Sequence, residues 1–219
     1  MSKKKPTKPW PTKDAMQQVY TEHLWGGDEF DFYSGEGSHS PELIEPYVNS
    51  VQAFLSSFEE PLTVCDLGCG DFNVGMKLVE HTKKYVALDI VPKLFDRNKK
   101  LFKAGNLEFR CLDIAKDALP VADCAIVKQV LQHLSNQEVQ QVVEKLQNYK
   151  YVLLTEHVPE GEFEANLDII SGQGTRLKKN SGLILTVPPF NFSIKEEQLL
   201  CSVPLEAGKG IIETKLYTI

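Results

Sequence analysis

The chain has 219 residues, of which 42% are hydrophobic and 25% charged, so it can form one α/β domain with a sizeable core. Its formal net charge is −6, which disfavours nucleic acid as a partner, because nucleic-acid binders usually present a basic face. No apolar run approaches the roughly 18 residues of a membrane span, and no apolar segment of the secretory kind follows the N-terminal lysines. Composition therefore predicts that neither a membrane nor a nucleic acid is a partner.

The cysteines and histidines follow no pairing pattern. The five cysteines include no C-x-x-C pair, and Cys65, Cys111 and Cys124 lie in apolar runs, where a thiol behaves as a small hydrophobe. This usage favours free thiols in a reducing, cytoplasmic setting. The histidines lack the short spacing of metal ligands, so no metal site is predicted.

Three parts of the chain differ in character. Residues 1–13 are rich in lysine and proline, which is typical of a flexible tail. Residues 14–60 contain two predicted helices, one through about Trp25 and one beginning at Pro41, with a loop between them. Residues 61–219 show the remaining pattern of alternating strands and helices and form the predicted core, with no second core visible.

The first strand of that core leads into a glycine turn. The apolar run from Leu62 to Leu67 predicts a buried parallel strand, and Gly68 and Gly70 then allow a sharp turn close to a ligand. Residues 74–81 have helical spacing, so a helix is expected after the turn. A dinucleotide fingerprint would have its third glycine where this chain has Asn73, so that fingerprint is broken.

The string Asp66-Leu67-Gly68-Cys69-Gly70 resembles the first motif of the class I S-adenosylmethionine (SAM)-dependent methyltransferases. The resemblance implies SAM as cofactor, S-adenosylhomocysteine (SAH) as product and methyl transfer to a small-molecule acceptor. Two alternatives stay open: a SAM-binding partner protein without catalysis, and a nicotinamide-dependent oxidoreductase. Residues 34–38 resemble a loop that closes over SAM in some members of the family, although a plain connection is an equal alternative.

Later strand ends supply further predicted contacts. Asp89 lies 89 − 70 = 19 residues after Gly70, where an acid can accept hydrogen bonds from both ribose hydroxyls; capping of the next helix is the alternative. The resemblance places adenine beside Asp113-Ile114 and the SAM amino group near the residues that follow the fourth strand. The predicted cofactor-binding residues are Asp66, Gly68, Cys69, Gly70, Asp89, Ile90, Asp113, Ile114, Lys128, Gln129, His133, Ser34, Gly35 and Ser38.

Candidates for the acceptor side are less defined. Ligands bind at strand C-termini in open α/β sheets, which makes Glu156 and His157 at the tip of the fifth strand candidates. Glu156, His157 and His39 could each act as a general base, although a carboxylate acceptor needs none. Glu156 and Arg176 are the candidate substrate-binding residues, since an arginine can pair with an acidic acceptor.

The last part of the chain completes the predicted sheet. Residues 183–187 are expected to form a short edge strand, and residues 198–203 and 211–219 a terminal hairpin around Gly208-Lys209-Gly210. A closing hairpin of this kind is characteristic of the class I methyltransferase sheet. The predicted fold is a three-layer α/β/α sandwich with a seven-stranded, mostly parallel sheet of order 3-2-1-4-5-7-6 and a C-terminal antiparallel hairpin.

Overall fold

A computed structural model describes residues 9–219, so the first eight residues of the predicted tail lie outside the described chain. The helices are α1 (Thr12–Thr21), α2 (Pro41–Leu55), α3 (Pro92–Leu101) and α4 (Asn136–Leu146). The strands are β1 (Thr63–Leu67), β2 (Lys84–Asp89), β3 (Leu107–Cys111), β4 (Cys124–Lys128), β5 (Tyr151–Val158), β6 (Glu164–Ala165), β7 (Ser181–Gly182), β8 (Glu196–Pro204) and β9 (Ile211–Thr218). Within residues 9–219, none of the helices combines the length and apolarity that crossing a membrane requires.

One seven-stranded sheet organises these elements in the order β3-β2-β1-β4-β5-β9-β8. Strands β1 to β5 pair in parallel, whereas β9 is antiparallel to both β5 and β8. Strands β6 and β7 form a separate two-stranded sheet, so β8 and β9 are the predicted sixth and seventh strands. The predicted fold and strand order are confirmed. Parallel pairing brings the C-terminal ends of β1 to β5 to one edge of the sheet.

The core has two halves, one on each face of the sheet. Cys65 and Leu67 of β1 face the half that contains α1 and α4, whereas Val64 faces the half that contains α2. The apolar stripe of α4 is fully buried there, as its spacing predicts. Helices on both faces of a mostly parallel sheet give the three predicted layers.

The predicted helix over residues 74–81 is wrong. Two short 3-10 turns, Gly75–Lys77 and Val79–His81, occupy this stretch instead. Phe72 adopts a left-handed conformation with φ 66° and its ring is fully buried, which draws the chain into the sheet immediately after the glycine turn. Its ring also occupies the space where a Cβ on Gly75 would lie, 2.5 Å from the nearest ring carbon. Helical spacing alone did not reveal this anchor.

The predicted edge strand at residues 183–187 is also wrong. Leu183 and Leu185 are buried as a strand would bury them, but Ser181–Gly182 is the only paired segment in this part of the described chain. The amide side chain of Asn166 replaces a strand partner: it donates to the carbonyl of Ile184 at 2.8 Å and accepts from its N–H at 2.8 Å. A side chain thus meets the backbone's need for hydrogen bonds.

A buried carboxyl on β5 has no hydrogen-bond partner. The Glu156 side chain is 3% exposed, and neither of its oxygens has a partner in the described chain. Burial disfavours the charged form and raises the pKa of Glu156 to about 8. The protonated form therefore predominates at neutral pH.

We expect Glu156→Gln to stabilise the protein at alkaline pH. The folded state holds this proton up to about pH 8, whereas the unfolded carboxyl releases it near its ordinary pKa of 4.5, so the free energy of unfolding falls as the pH rises between these values. The neutral amide removes this loss, raising the unfolding free energy at pH 8 by at least about 2 kcal/mol. Urea unfolding at pH 5 and pH 8 measures the difference. The exposed Glu160→Gln is the matched control, and an equal effect of both variants would contradict the prediction.

Candidate active site

A cavity of about 380 Å³ lies at the C-terminal edge of the parallel strands. Its lining comes from the ends of β1 to β4, from α1 and from the loop between α1 and α2. Every residue predicted from the sequence to bind the cofactor lines this cavity. The topology therefore brings together residues that are up to about a hundred positions apart in the chain, because parallel strands end at one edge.

The glycine turn after β1 forms the floor of the cavity. Gly68 and Gly70 have φ values of 84° and 57°, a region that L side chains rarely adopt. A Cβ on Gly68 would lie 2.6 Å from Val130 Cγ2, so the space beside it is also filled. The backbone N–H groups of Gly68 and Cys69 both donate to the carbonyl of Leu88, at 2.9 and 2.8 Å. The turn is thereby fixed to the end of β2.

Asp89 ends β2 and faces the turn. Its two carboxylate oxygens accept backbone hydrogen bonds, one from Gly70 N at 3.0 Å and one from Val91 N at 2.9 Å. Burial raises the pKa of Asp89 to about 6, while these N–H groups oppose the rise, so the group is mainly ionised at neutral pH. Each carboxylate oxygen has a second lone pair, which leaves capacity for hydroxyl donors.

An apolar slot adjoins Asp113 after β3. Met16 of α1 and Leu112, Ile114 and Leu134 supply its apolar lining. The Asp113 carboxylate accepts from Ala115 N at 3.0 Å and pairs with Lys116 at 2.6 Å, which holds the side chain at the rim.

The loop between the first two helices covers the turn. Ser34 N donates to Asp71 Oδ2 at 2.8 Å, and Asp71 N donates to Ser34 Oγ at 2.9 Å. Asn73 Nδ2 donates to the carbonyl of Ser38 at 2.6 Å. Asn73, which replaces the third glycine of the dinucleotide fingerprint, therefore holds this covering loop (residues 33–39) in place.

The three candidate bases lie outside the cavity lining. His39 Nε2 lies 2.6 Å from Asp71 Oδ2, and its ring stacks on Tyr33, so it fastens the covering loop. His157 Nε2 bonds the carbonyl of Lys209 in the terminal hairpin at 2.7 Å. Glu156 is buried and does not belong to the cavity lining. The structure does not bring these side chains together.

Arg176 does not have the exposed guanidinium that pairing with an acidic acceptor requires. The residue is 1% exposed, and its side chain donates to the carbonyls of Leu131 at 3.1 Å and Leu134 at 2.8 Å and to Asn136 Oδ1 at 2.6 Å. The reason is positional, because residues 176–179 form a short turn beneath the loop after β4. Arg176 therefore fixes that loop from inside the protein.

The structure adds aromatic residues that the sequence patterns did not single out. Tyr20 and Trp25 line the cavity, and their rings make an edge contact with centroids 5.5 Å apart. Trp25 also lies beside His133, with ring centroids 5.0 Å apart. Their signal in the sequence was the helical spacing of residues 16–24, which is equally typical of a core-facing stripe.

His133 is neutral and has a defined tautomer. Burial lowers the pKa of His133 to about 4. Its Nδ1 lies 3.2 Å from the carbonyl of Gly174, which can only accept, so Nδ1 carries the proton. Its Nε2, 3.3 Å from Gln132 Nε2, then acts as an acceptor.

A glycine turn, a carboxylate at the next strand end and an apolar slot after the third strand lie together at the edge of the sheet where ligands bind in open α/β folds. Residues 64–149 match the family model described as "Methyltransferase domain". No curated protein matches the chain at a significant level. The match includes residues 66–70, and it supports the class I SAM-dependent methyltransferase family that was predicted from them.

Solved structures with the same fold include methyltransferases from three sources. N-methyltransferase NodS from Bradyrhizobium japonicum WM9, in complex with SAH, is 13% identical with a TM-score of 0.65, over 92% of this chain and 98% of that one. Magnesium protoporphyrin IX methyltransferase from Synechocystis PCC 6803, with bound SAM, is 16% identical with a TM-score of 0.60, over 97% and 99%. Human N-acetylserotonin methyltransferase in complex with SAM is 18% identical with a TM-score of 0.59, over 95% and 60%. At these identities the likeness concerns the fold.

We expect Gly70→Ala to loosen the covering loop. An added Cβ would collide with Ser34 Oγ, and the left-handed φ of 57° would cost about 1–2 kcal/mol in addition. Amide hydrogen exchange of residues 33–39 should therefore become faster in the variant. Gly105→Ala is the matched control, because nothing lies within 4 Å of the corresponding Cβ position. Unchanged exchange in Gly70→Ala would show that the contact with Ser34 does not hold the loop.

Proposed function

We propose that the protein transfers the methyl group of SAM to a small-molecule acceptor. One observation carries the proposal: the glycine turn after β1, Asp89 after β2 and Asp113-Ile114 after β3 line a single cavity in that spatial order. A nucleoside with an amino-acid tail presents an aromatic base, a diol and a charged end in sequence, and the three strand ends offer a matching series of contacts.

Each strand end has its own role in this proposal. Asp89 accepts hydrogen bonds from the ribose hydroxyls, and Asp113 with Ile114 contacts the edge of adenine, whose faces lie against Met16 and Leu134. The glycine turn lets the methionine end approach the backbone. SAM supplies an electrophilic methyl group on a sulfonium, and the chain supplies position and exclusion of water.

The charge of the cavity supports a cationic cofactor. Among the charged side chains of the described lining the acids outnumber the bases, and Lys128 is the one lysine or arginine there. A cavity lined mainly by one sign of charge attracts ligands of the opposite sign. The acids are Glu36, Asp66, Asp71, Asp89, Asp113 and Glu138.

Two observations weigh against a nicotinamide dinucleotide. Asn73 replaces the third glycine of the fingerprint and holds the covering loop. The stretch after the turn consists of two 3-10 turns, so the helix N-terminus that would bind a pyrophosphate is absent from this part of the described chain. The covering loop lines one side of the cavity, which favours a small acceptor. Free thiols at all five cysteines support action in the cytoplasm.

Titration calorimetry tests the cofactor. We expect SAM and SAH to bind and NAD to give no appreciable heat. Turnover with labelled SAM and a metabolite extract then separates an enzyme from a SAM-binding partner protein. Binding of NAD without binding of SAM would overturn the proposal, and SAM binding without any labelled product would favour the non-catalytic alternative.

Asp89→Ala should weaken SAM binding by tenfold or more. A hydrogen bond to a charged group contributes roughly 1.5–3 kcal/mol, and the carboxylate is proposed to make two with the ribose. Calorimetry measures the dissociation constant, and circular dichroism checks that the fold is retained. Asp96→Ala, on the exposed side of α3, is the matched control. An unchanged dissociation constant in a folded Asp89→Ala protein would rule out the ribose role.

The covering loop should gain protection when the cofactor binds. Residues 33–39 are held by Asp71, Asn73 and Lys128, all of which belong to the cavity region, so a ligand beneath the loop adds contacts to its underside. Hydrogen exchange with and without SAH measures this change. Equal exchange rates would mean that the loop is only a connection.

A further inference from the structure

We propose that the side-chain amine of Lys128 removes a proton from the methyl acceptor, which is therefore a hydroxyl or amine compound. This inference rests on the proposed function and adds the class of acceptor to it. Lys128 is the last residue of β4, at the edge of the sheet where the cavity lies. Its side chain lines the same cavity as the glycine turn and Asp89, and it also contacts the covering loop at Gly37.

The amine is held without an ion pair. Nζ donates to the carbonyl of Gly37 at 2.6 Å and to Gln129 Oε1 at 3.0 Å. It also lies 5.4 Å from the centre of the Tyr47 ring. Among residues 9–219, no carboxylate oxygen lies within 4.0 Å of it. Both hydrogen-bond partners are uncharged acceptors, so a neutral amine can keep both bonds with its two N–H groups and still has a free lone pair.

Burial shifts the pKa of the Lys128 amine towards the range in which a general base acts. It lowers the pKa of Lys128 to about 8, against an ordinary value of 10.5, although nearby acids oppose the shift. A general base acts best when its pKa is close to the operating pH. The titratable groups that face it are Asp66 on β1, Asp71 after β1, Glu156 on β5, Cys201 on β8 and Tyr47 on α2.

The other candidate bases are engaged elsewhere. His133 uses Nδ1 on the carbonyl of Gly174, and its lone pair on Nε2 faces the Gln132 amide. Asp66 Oδ2 accepts from the hydroxyl of Tyr85 at 2.8 Å and lies beneath the turn. His157 and Glu156 lie outside the cavity lining. Lys128 is the one lysine or arginine of the described cavity lining.

Each methyl transfer moves one proton from the acceptor to the amine of Lys128. The lone pair of the neutral amine forms a new N–H bond with the proton of an acceptor O–H or ammonium N–H. The electron pair released on the acceptor atom forms the bond to the methyl carbon, and the pair of the breaking carbon–sulfur bond stays on sulfur. The ammonium of Lys128 passes its extra proton to solvent when the covering loop opens.

A purely structural role for Lys128 is the competing explanation. Its bond to Gly37 could serve only to hold the covering loop closed. Arginine separates the two roles, because a guanidinium can still donate to a carbonyl but does not release a proton near neutral pH. Lys128→Arg therefore keeps the loop contact and removes the base.

The test compares Lys128→Arg, Lys128→Met and the unaltered protein. We expect Lys128→Arg to bind SAH within about threefold of the unaltered protein and to retain slow exchange in residues 33–39. Its transfer of label from SAM to components of a metabolite extract should fall by at least about 100-fold. Lys128→Met should lose both transfer and loop protection. Lys150→Arg is the control, since this exposed lysine also lies over a tyrosine ring, 5.1 Å from its centre.

A second readout needs no turnover. In the unliganded protein, ¹⁵N NMR of the lysine side chains should show one amine that titrates near pH 8, absent from Lys128→Met. Full transfer activity in Lys128→Arg, or titration of this amine in the ordinary lysine range, would overturn the inference. A labelled product methylated on a carboxylate would also overturn it. If the unaltered protein does not bind SAM, the proposed function itself is wrong.

Discussion

The backbone of the glycine turn after β1 is the constraint on which the site depends. Two successive N–H groups, of Gly68 and Cys69, share the carbonyl of Leu88 as acceptor. The next N–H, of Gly70, donates to Asp89, and the Gly70 carbonyl accepts from Asn98 Nδ2 of α3 at 2.7 Å. Asn98 is fully buried, so this last bond is shielded from water. These hydrogen bonds hold the backbone of the turn in one position.

This arrangement makes a few acids serve both structure and chemistry. Asp89 positions the turn with its carboxylate and still has lone pairs for a ligand. Asp71 lies immediately after the turn and holds the covering loop through Ser34 and His39. Removing either acid would disturb the floor or the cover of the cavity together with its charge. Variants that change one function at a time, each with a matched control, are therefore more informative here than truncations. A truncation that removed the first helix would also remove Met16 and Tyr20 from the hydrophobic core.

The sequence was sufficient for the parts of the fold that follow from periodicity. Buried parallel strands read as apolar runs, and the acids at their ends mark one edge of the sheet, so Asp66, Asp89 and Asp113 could be assigned to one site. The sequence failed where a single side chain overrides a pattern. Phe72 replaces a helix by two short turns, and Asn166 replaces a strand partner by an amide. A single side chain produces no periodic pattern in the sequence, so neither effect could be predicted.

The acceptor side was the least predictable part for the same reason. A strand-end acid or a loop arginine has the chemistry of a binding residue, but burial decides how that chemistry is used. The terminal nitrogens of Arg176 donate to main-chain carbonyls of the loop after β4, and Glu156 stays protonated beneath that loop. From the sequence, Lys128 at the end of β4 was predicted only as a contact of the cofactor. The structure adds that its amine is largely buried and has uncharged hydrogen-bond partners.

The neutral carboxyl of Glu156 beneath the loop after β4 is coupled electrostatically to Arg176 and to the amine of Lys128. Arg176 sets the geometry of residues 131–134 through carbonyl contacts, and these residues carry Gln132 and His133 into the cavity. Ionisation of Glu156 would add a negative charge near both Arg176 and Lys128, and it raises the pKa of Lys128. Because burial keeps Glu156 neutral, the amine stays easier to deprotonate. The protonation state of a buried carboxyl outside the cavity thereby affects the pKa of a side chain within it.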